Sequence, residues 1–278
     1  MRLRPWHRLR RRLHEALRDE TQVRAKTSAM VFAPHQDDET LGCGGTMVLK
    51  RRAGAAVALV FMTDGTTSHR RFMKEEELRS LRKEEANSAA AILGFSPEDI
   101  HFLDFPDGGL IRFHDDAVSR VVSLLDRYRP TEVYIPYRSD GTLDHESTHG
   151  VVVEAVKNAG RPAEICEYPI WFWNQWPWVP QDVKFDREGV TGCLRALWAC
   201  FGFRRFGEFR TGVFVGDVLE RKMQALAQHR SQMTVMVSGT PWPTLADISA
   251  GEFLRCFFQD YEVFRCWSFP TSEDGHSR

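Results

Sequence analysis

The chain has no long apolar run: nowhere in its 278 residues do the roughly 20 consecutive apolar positions of a bilayer-spanning helix occur. A helical membrane span is thereby excluded. The first residues are rich in arginine but lack the continuous apolar stretch of a secretory leader, so the expected compartment is the cytoplasm. Net charge is nearly missing too, with 37 Lys and Arg against 38 Asp and Glu. That balance supplies no general attraction to nucleic acid or acidic polymers, and no nucleic-acid partner is expected. The six cysteines, at positions 43, 166, 193, 200, 256 and 266, include no CxxC pair and no tight framework. They read as free thiols in a chain long enough to fold without cross-links. Internal repeats and low-complexity tracts are also absent, and the apolar share of 42% suits a globular protein with a sizeable core.

What is present begins with a basic segment, residues 1–27. Trp6, Leu9, Leu13, Ala16 and Leu17 recur there at helical spacing over residues 2–18, with Arg2, Arg4, Arg8, Arg10, Arg11, Arg12 and Arg18 largely around the other faces. The pattern predicts an amphipathic helix. It would either contact anionic lipid headgroups, making the protein membrane-associated, or be laid on the domain by Trp6 and the leucines. Residues 28–270 read as a single domain, and 271–278, polar and glycine-containing, as a flexible tail.

Within the domain, short apolar runs at 29–33, 57–62, 100–105, 133–135 and 165–170 read as strands. Between them, 41–53, 75–93, 115–128 and 145–158 have helical character. This alternation predicts an α/β fold: a Rossmann-like, mostly parallel sheet over about residues 28–172 with helices on both faces. A less regular C-terminal portion follows, entered through the aromatic stretch Trp171 to Trp178 and carrying one more helical stretch from Val213 to His229. Most of those aromatics read as core, with Trp173 and Trp176 as candidates for a substrate wall.

The polar residues gather after the strands. Pro34-His35-Gln36-Asp37-Asp38-Glu39 follows the first, Thr63-Asp64-Gly65 the second, Pro106-Asp107-Gly108-Gly109 the third, and Arg138-Ser139-Asp140-Gly141 through His145 the fourth. In an open parallel sheet these loops share the carboxyl edge, where such folds bind ligands. Three successive acids beside a histidine repel one another unless a cation neutralises them, which is more than helix capping needs. If His35 and Asp38 point at one centre, Asp37 is left free to accept a proton, and His145 is the natural third ligand of a two-histidine, one-carboxylate site suited to catalytic zinc.

Other patterns compete. His145-Glu146-Ser147-Thr148-His149 fits the HExxH pattern of zinc metalloproteases but leaves the acidic loop at His35 unexplained. The same donor set describes the facial triad of iron oxygenases, against which the α/β rhythm argues. Gly42, Gly44 and Gly45 do not have G-x-G-x-x-G spacing, and read instead as letting the helix start pack closely on the sheet.

The run Ala33-Pro34-His35-Gln36-Asp37-Asp38-Glu39-Thr40-Leu41-Gly42-Cys43-Gly44-Gly45 closely resembles the signature of the PIG-L/LmbE-like de-N-acetylases. The similarity continues through Thr63-Asp64-Gly65, Ser68-His69, Arg82, Glu85, Leu93-Gly94, Pro106-Asp107-Gly108 and Asp144-His145, and returns at Lys222 and His229-Arg230-Ser231-Gln232. It implies a Rossmann-like fold with zinc on His35, Asp38 and His145 and Asp37 as general base. The implied reaction is hydrolysis of the acetamide of an N-acetylglucosamine-type sugar or glycoconjugate. Asp64, Ser68, His69, Arg82, Asp107, Arg138, Thr142 and His229 are the expected substrate-side residues. The family often has a second histidine where this chain has Thr142, so His149, His229 or Arg138 would supply that electrophilic help. A non-catalytic carbohydrate-binding protein of the same fold is the alternative that this substitution keeps open.

Overall fold

A computed structural model describes residues 17–161, 163–174, 178–179 and 207–269. Its centre is strand β2 (Ala29–Ala33), buried at every position. A strand covered on both faces carries apolar side chains at odd and even positions alike. Met30 and Phe32 face one way, with Ala58, Val60, Met62, Val133 and Ile135 of neighbouring strands. Ala29, Val31 and Ala33 face the other, with Val57, Leu59 and Phe61. Helices α2 (Asp38–Arg52) and α3 (Glu75–Leu93) cover the second face, and α4 (His114–Tyr128) and α5 (Leu143–Ala159) the first.

Five adjacent strands pair in parallel: β2, β3 (Val57–Thr63), β4 (Ile100–Phe105), β5 (Glu132–Pro136) and β6 (Glu164–Tyr168). β2 pairs with β3 on one side and with β5 on the other. The chain therefore reverses its direction of winding between β2 and β5, and the loops leaving these two strands part around a crevice. His35 follows one strand and His145 the other.

The C-terminal portion adds more sheet than its sequence suggests. The expected helix from Val213 to His229 is instead strand β7 (Thr211–Phe214) followed by α6 (Leu219–Leu226). The β-branched and aromatic residues around Val213 favour a pleated surface, and Gly216 separates the two elements. Strand β8 (Tyr261–Ser268) lies between β6 and β7, antiparallel to both, and β1 (Arg18–Asp19) pairs with β7. Among the described residues the sheet thus has eight strands, in the order β1-β7-β8-β6-β5-β2-β3-β4. Arg18 stands in a strand, not in the expected N-terminal helix, and a short helix α1 (Thr21–Lys26) follows it. Residues 2–16, Trp176 and the tail 271–278 lie outside the described residues. No helix of the described residues is long and apolar enough to cross a membrane.

Helix α2 is broken at Cys43, whose φ of −145° and ψ of 19° are not helical. The break exposes backbone groups that a continuous helix would pair internally. Glu262 of β8 accepts the Gly45 and Thr46 N–H groups at 2.8 Å each and the Thr46 hydroxyl at 2.6 Å. The Lys222 ammonium donates to the Leu41 carbonyl and to Glu262, both at 2.8 Å. A buried ion pair thereby caps both sides of the break.

Glycine serves close packing where α2 meets the sheet. A Cβ on Gly42 would come within 2.3 Å of Cδ2 of the buried Tyr168 ring. Tyr168 is also held by its hydroxyl, which donates to the Phe32 carbonyl at 2.7 Å. Gly42→Ala is expected to lower stability by about 1–3 kcal/mol, the usual cost of overpacking a filled core. Urea unfolding checks this, and an unchanged midpoint would show that the ring yields freely.

Candidate metal centre

The loop leaving β2 turns sharply. Asp37 adopts φ 135°, a region L residues rarely enter. Its own N–H donates to Glu39 Oε2 at 2.9 Å, and Glu39 Oε1 meets the Thr40 hydroxyl at 2.6 Å and His229 Nε2 at 3.0 Å. Arg82 of α3 braces the loop from below, donating to the Gln36 and Gly65 carbonyls, with Nη2 3.8 Å from Asp37 Oδ2. This turn brings His35 and Asp38 side by side, with Asp38 opening α2.

From across the crevice comes His145, in the first turn of α5. One oxygen from Asp38 and one ring nitrogen each from His35 and His145 lie within 4.8 Å of one another. His35 Nδ1 and His145 Nε2 are each 3.2 Å from Asp38 Oδ2.

Whether the residues fit a cation turns on His145. Its Nδ1 faces Asp140 Oδ2 at 2.8 Å, so when a cation displaces the ring's second proton the remaining one stays on Nδ1 and the lone pair is on Nε2. That buried Nε2 has no well-formed hydrogen bond among the described residues and faces Asp38 Oδ2 at 3.2 Å. Buried polar atoms are normally satisfied, and an imidazole fixed by a carboxylate on one nitrogen and unbonded on the other has the form of a metal-ligating histidine. Asp140 is itself fixed, accepting the backbone N–H groups of Ile170, Trp171 and Phe172 at 2.9 to 3.0 Å. The donor set fits a divalent ion.

His35 repeats the arrangement. Behind its Nε2 stand Asp107 Oδ1 at 3.2 Å and Asp144 Oδ2 at 3.5 Å. These two acids form a second close group with His35, but their oxygens are already engaged. Asp107 accepts the Thr67 N–H at 2.8 Å, and Asp144 accepts the Gly108 N–H at 2.6 Å. They orient the ring from behind.

The charges respond to this crowding. Burial, reinforced by the neighbouring Asp38, pushes the Asp37 carboxyl up to about 7. Burial also opposes ionisation of Asp38, but His145 and His35 outweigh it and hold that carboxyl well below the usual carboxylate range. For His145, burial favours the neutral ring, yet Asp38 and Asp140 raise it to about 9. Burial likewise opposes protonation of His35, and Asp107, Asp144 and Asp38 override it, lifting the ring well above its ordinary value. The centre has a strongly negative potential that attracts protons and cations alike.

The other residues singled out in the sequence fall at varied distances from this centre. Asp64 is tied to Arg79 at 2.8 Å and to the Asp107 N–H at 3.2 Å, inside the loop scaffold. Ser68 is exposed and bonds His69 Nδ1 at 2.8 Å, while His69 Nε2 faces the Pro243 carbonyl at 2.9 Å and its ring stacks on Trp242. Arg138 is engaged by Glu208 at 2.7 and 2.9 Å. Thr142 is the residue before α5, and its hydroxyl has no hydrogen-bond partner among the described residues. His149 points to Glu167 at 3.3 Å and Glu146 is exposed, so the HExxH pair does not assemble. Trp173 is buried in the core against Trp178, not a wall of the crevice. Asp140 and the bracing roles of Glu39 and Asp144 were not legible beforehand. An acid five residues ahead of a histidine carries no signal until the Ile170–Phe172 backbone is seen to fix it.

Residues 30–156, from β2 through most of α5, match the PIG-L family, described as GlcNAc-PI de-N-acetylase. Over 212 residues the chain is 28% identical to a diacetylchitobiose deacetylase of Thermococcus kodakarensis, covering 73% of this chain and 69% of that one. It is 27% identical over 238 residues to a 1D-myo-inositol 2-acetamido-2-deoxy-alpha-D-glucopyranoside deacetylase of Mycobacterium sp. (strain KMS), covering 74% of each. Among solved structures it resembles the N,N'-diacetylchitobiose deacetylase of Pyrococcus horikoshii, with a TM-score of 0.63 at 20% identity over 96% of this chain and 94% of that one. At that identity the likeness is one of fold.

Proposed function

We propose, from the match of residues 30–156 to the PIG-L family, that this chain is an N-deacetylase that removes the acetyl group from an N-acetylglucosamine-type sugar or its conjugate. His35, Asp38 and His145 hold zinc in this reading, and Asp37 is the general base. The observation that carries it is the convergence of His35, Asp38 and a buried His145 Nε2 that has no well-formed hydrogen bond among the described residues, with a carboxyl at about 7 on Asp37 beside them.

Zinc in such a donor set supplies Lewis acidity, which acidifies water and polarises an amide carbonyl. The protein's own groups do the rest. Asp37 takes the proton from the attacking water and returns it to the nitrogen as the C–N bond breaks, so that acetate and a free amine leave. A base titrating near neutrality suits both transfers. Arg82 and Glu39 hold Asp37 at its place in the turn, and Asp140, Asp107 and Asp144 keep the two imidazoles from rotating.

Asp140→Asn is expected to weaken zinc binding about 10- to 100-fold, since the charge behind His145 is lost while the shape is kept. Competition with a chromogenic chelator measures this; unchanged affinity would remove Asp140 from the site. The reaction itself is tested by acetate release from a panel of N-acetylhexosamine conjugates. Release that stops on chelation and returns with added zinc is expected for at least one member. Zinc-loaded protein that frees no acetate from any member would overturn the assignment.

A further inference from the structure

Outside the metal centre, on the sheet face covered by α1 and α2, Cys166 of β6 and Cys266 of β8 are direct partners in the antiparallel ladder. The flanking pairs Ile165 with Trp267 and Glu167 with Arg265 fix this register, so the two cysteine side chains leave the same face. Directly opposed residues have Cα atoms about 4.5–5.5 Å apart, inside the ~4.4–6.8 Å that a disulfide spans. Both residues are free thiols here, their sulfurs 2.7 Å apart, with Cys166 buried and Cys266 partly exposed. Arg24 of α1 places Nη1 3.2 Å from Cys166 Sγ and 3.0 Å from Glu164 Oε2.

We infer that this pair is a redox modification site, converted to an intramolecular disulfide by a two-electron oxidant of the peroxide class. The partly exposed Cys266 reacts first; burial pushes the Cys166 thiol up and keeps it in reserve. The Cys266 thiolate attacks one peroxide oxygen, the O–O bond breaks, and the departing hydroxide takes a proton to become water, leaving a sulfenic acid. Cys166 then forms the S–S bond as the S–O bond breaks, and a second water departs with the Cys166 proton. Two thiols and one hydrogen peroxide thus yield one disulfide and two waters, and the Arg24 guanidinium stabilises the Cys166 thiolate as it attacks.

The same guanidinium argues against a metal here. Glu164, Cys166 and Cys266 offer ligand atoms within 4.8 Å of one another. Arg24 already stands against two of them, so a divalent ion would meet a full positive charge at contact distance.

Chelator-treated full-length protein exposed to a few-fold excess of hydrogen peroxide tests the inference. Non-reducing peptide mapping should show residue 166 joined to residue 266 with loss of two hydrogens. The thermal midpoint should rise by about 5–15 °C and fall back with a reductant, since the link closes a long loop in the unfolded chain. Cys266→Ser should lose both the link and the shift, whereas Cys256→Ser should keep them. The inference is overturned if Cys166 and Cys266 stay reduced, if Cys266 proceeds to sulfinic acid with Cys166 intact, if the link joins other cysteines, or if stoichiometric zinc protects the pair.

Discussion

Asp37→Asn protein is expected to bind zinc as the parent does and to turn over about 10²- to 10⁴-fold more slowly, the usual worth of a positioned general base. The substitution is chosen for its backbone as much as for its chemistry. At φ 135° most replacements would add strain of their own, but asparagine shares with aspartate a tolerance for positive φ. Shape, the N–H bond to Glu39 and the neighbouring ligands therefore stay in place, and only the proton acceptor is lost. The parent should also show an acid limb in kcat that the variant lacks. The Asp37 carboxyl, at about 7 in the metal-free protein, must be ionised to act, so activity falls as pH drops through its pKa. A bound dication favours the carboxylate and moves that limb below 7. Metal analysis together with pH-resolved acetate release measures both effects. Full activity in zinc-loaded Asp37→Asn protein would assign the base elsewhere.

The largest loss of stability is expected from Glu262→Ala. Removing this carboxylate strands the Gly45 and Thr46 N–H groups, the Thr46 hydroxyl and a Lys222 ammonium that is only 1% exposed. Breaking a buried ion pair from one side costs about 3–5 kcal/mol, because the surviving charge has no water to return to. For a chain of this size the thermal midpoint should fall by roughly 6–20 °C. Lys222→Met in the same protein should restore part of the loss, since removing both charges is cheaper than removing one. Differential scanning calorimetry of the single and double variants separates the ion pair from the helix-capping bonds. A single variant melting with the parent would mean that the break at Cys43 needs no cap.

Much of this architecture was legible because its signals are local. Runs such as Ala29 to Ala33 are buried on both faces, and no surface helix is apolar at every position, so the strands announced themselves. Acids and histidines placed just after those strands could only meet at the carboxyl edge, which is why His35, Asp38 and His145 could be named together. Most of the misses share one physical cause: the deciding partner is remote. Glu262 is an ordinary glutamate in a strand until Gly45, 217 positions away, is seen to need it. Nothing near residue 261 says that its strand runs antiparallel between β6 and β7, and the apolar spacing of Val213 to His229 fits a helix until Gly216 interrupts it. His149 sits one turn from His145, yet Glu167 on β6 turns its ring elsewhere.

The position of β8 bears on how the protein is made. As the nascent chain leaves the ribosome, β6 emerges with its outer N–H and C=O groups unclaimed, and the strand that covers them is encoded roughly 90 residues later. At ~5–20 residues per second the wait is roughly 5–20 s. Throughout that interval a nearly finished parallel sheet offers a bare edge to other growing chains, the kind of surface that seeds aggregation. Chaperone demand during expression should therefore be set by synthesis of the stretch after β6, and slow codons placed there should lower the soluble yield.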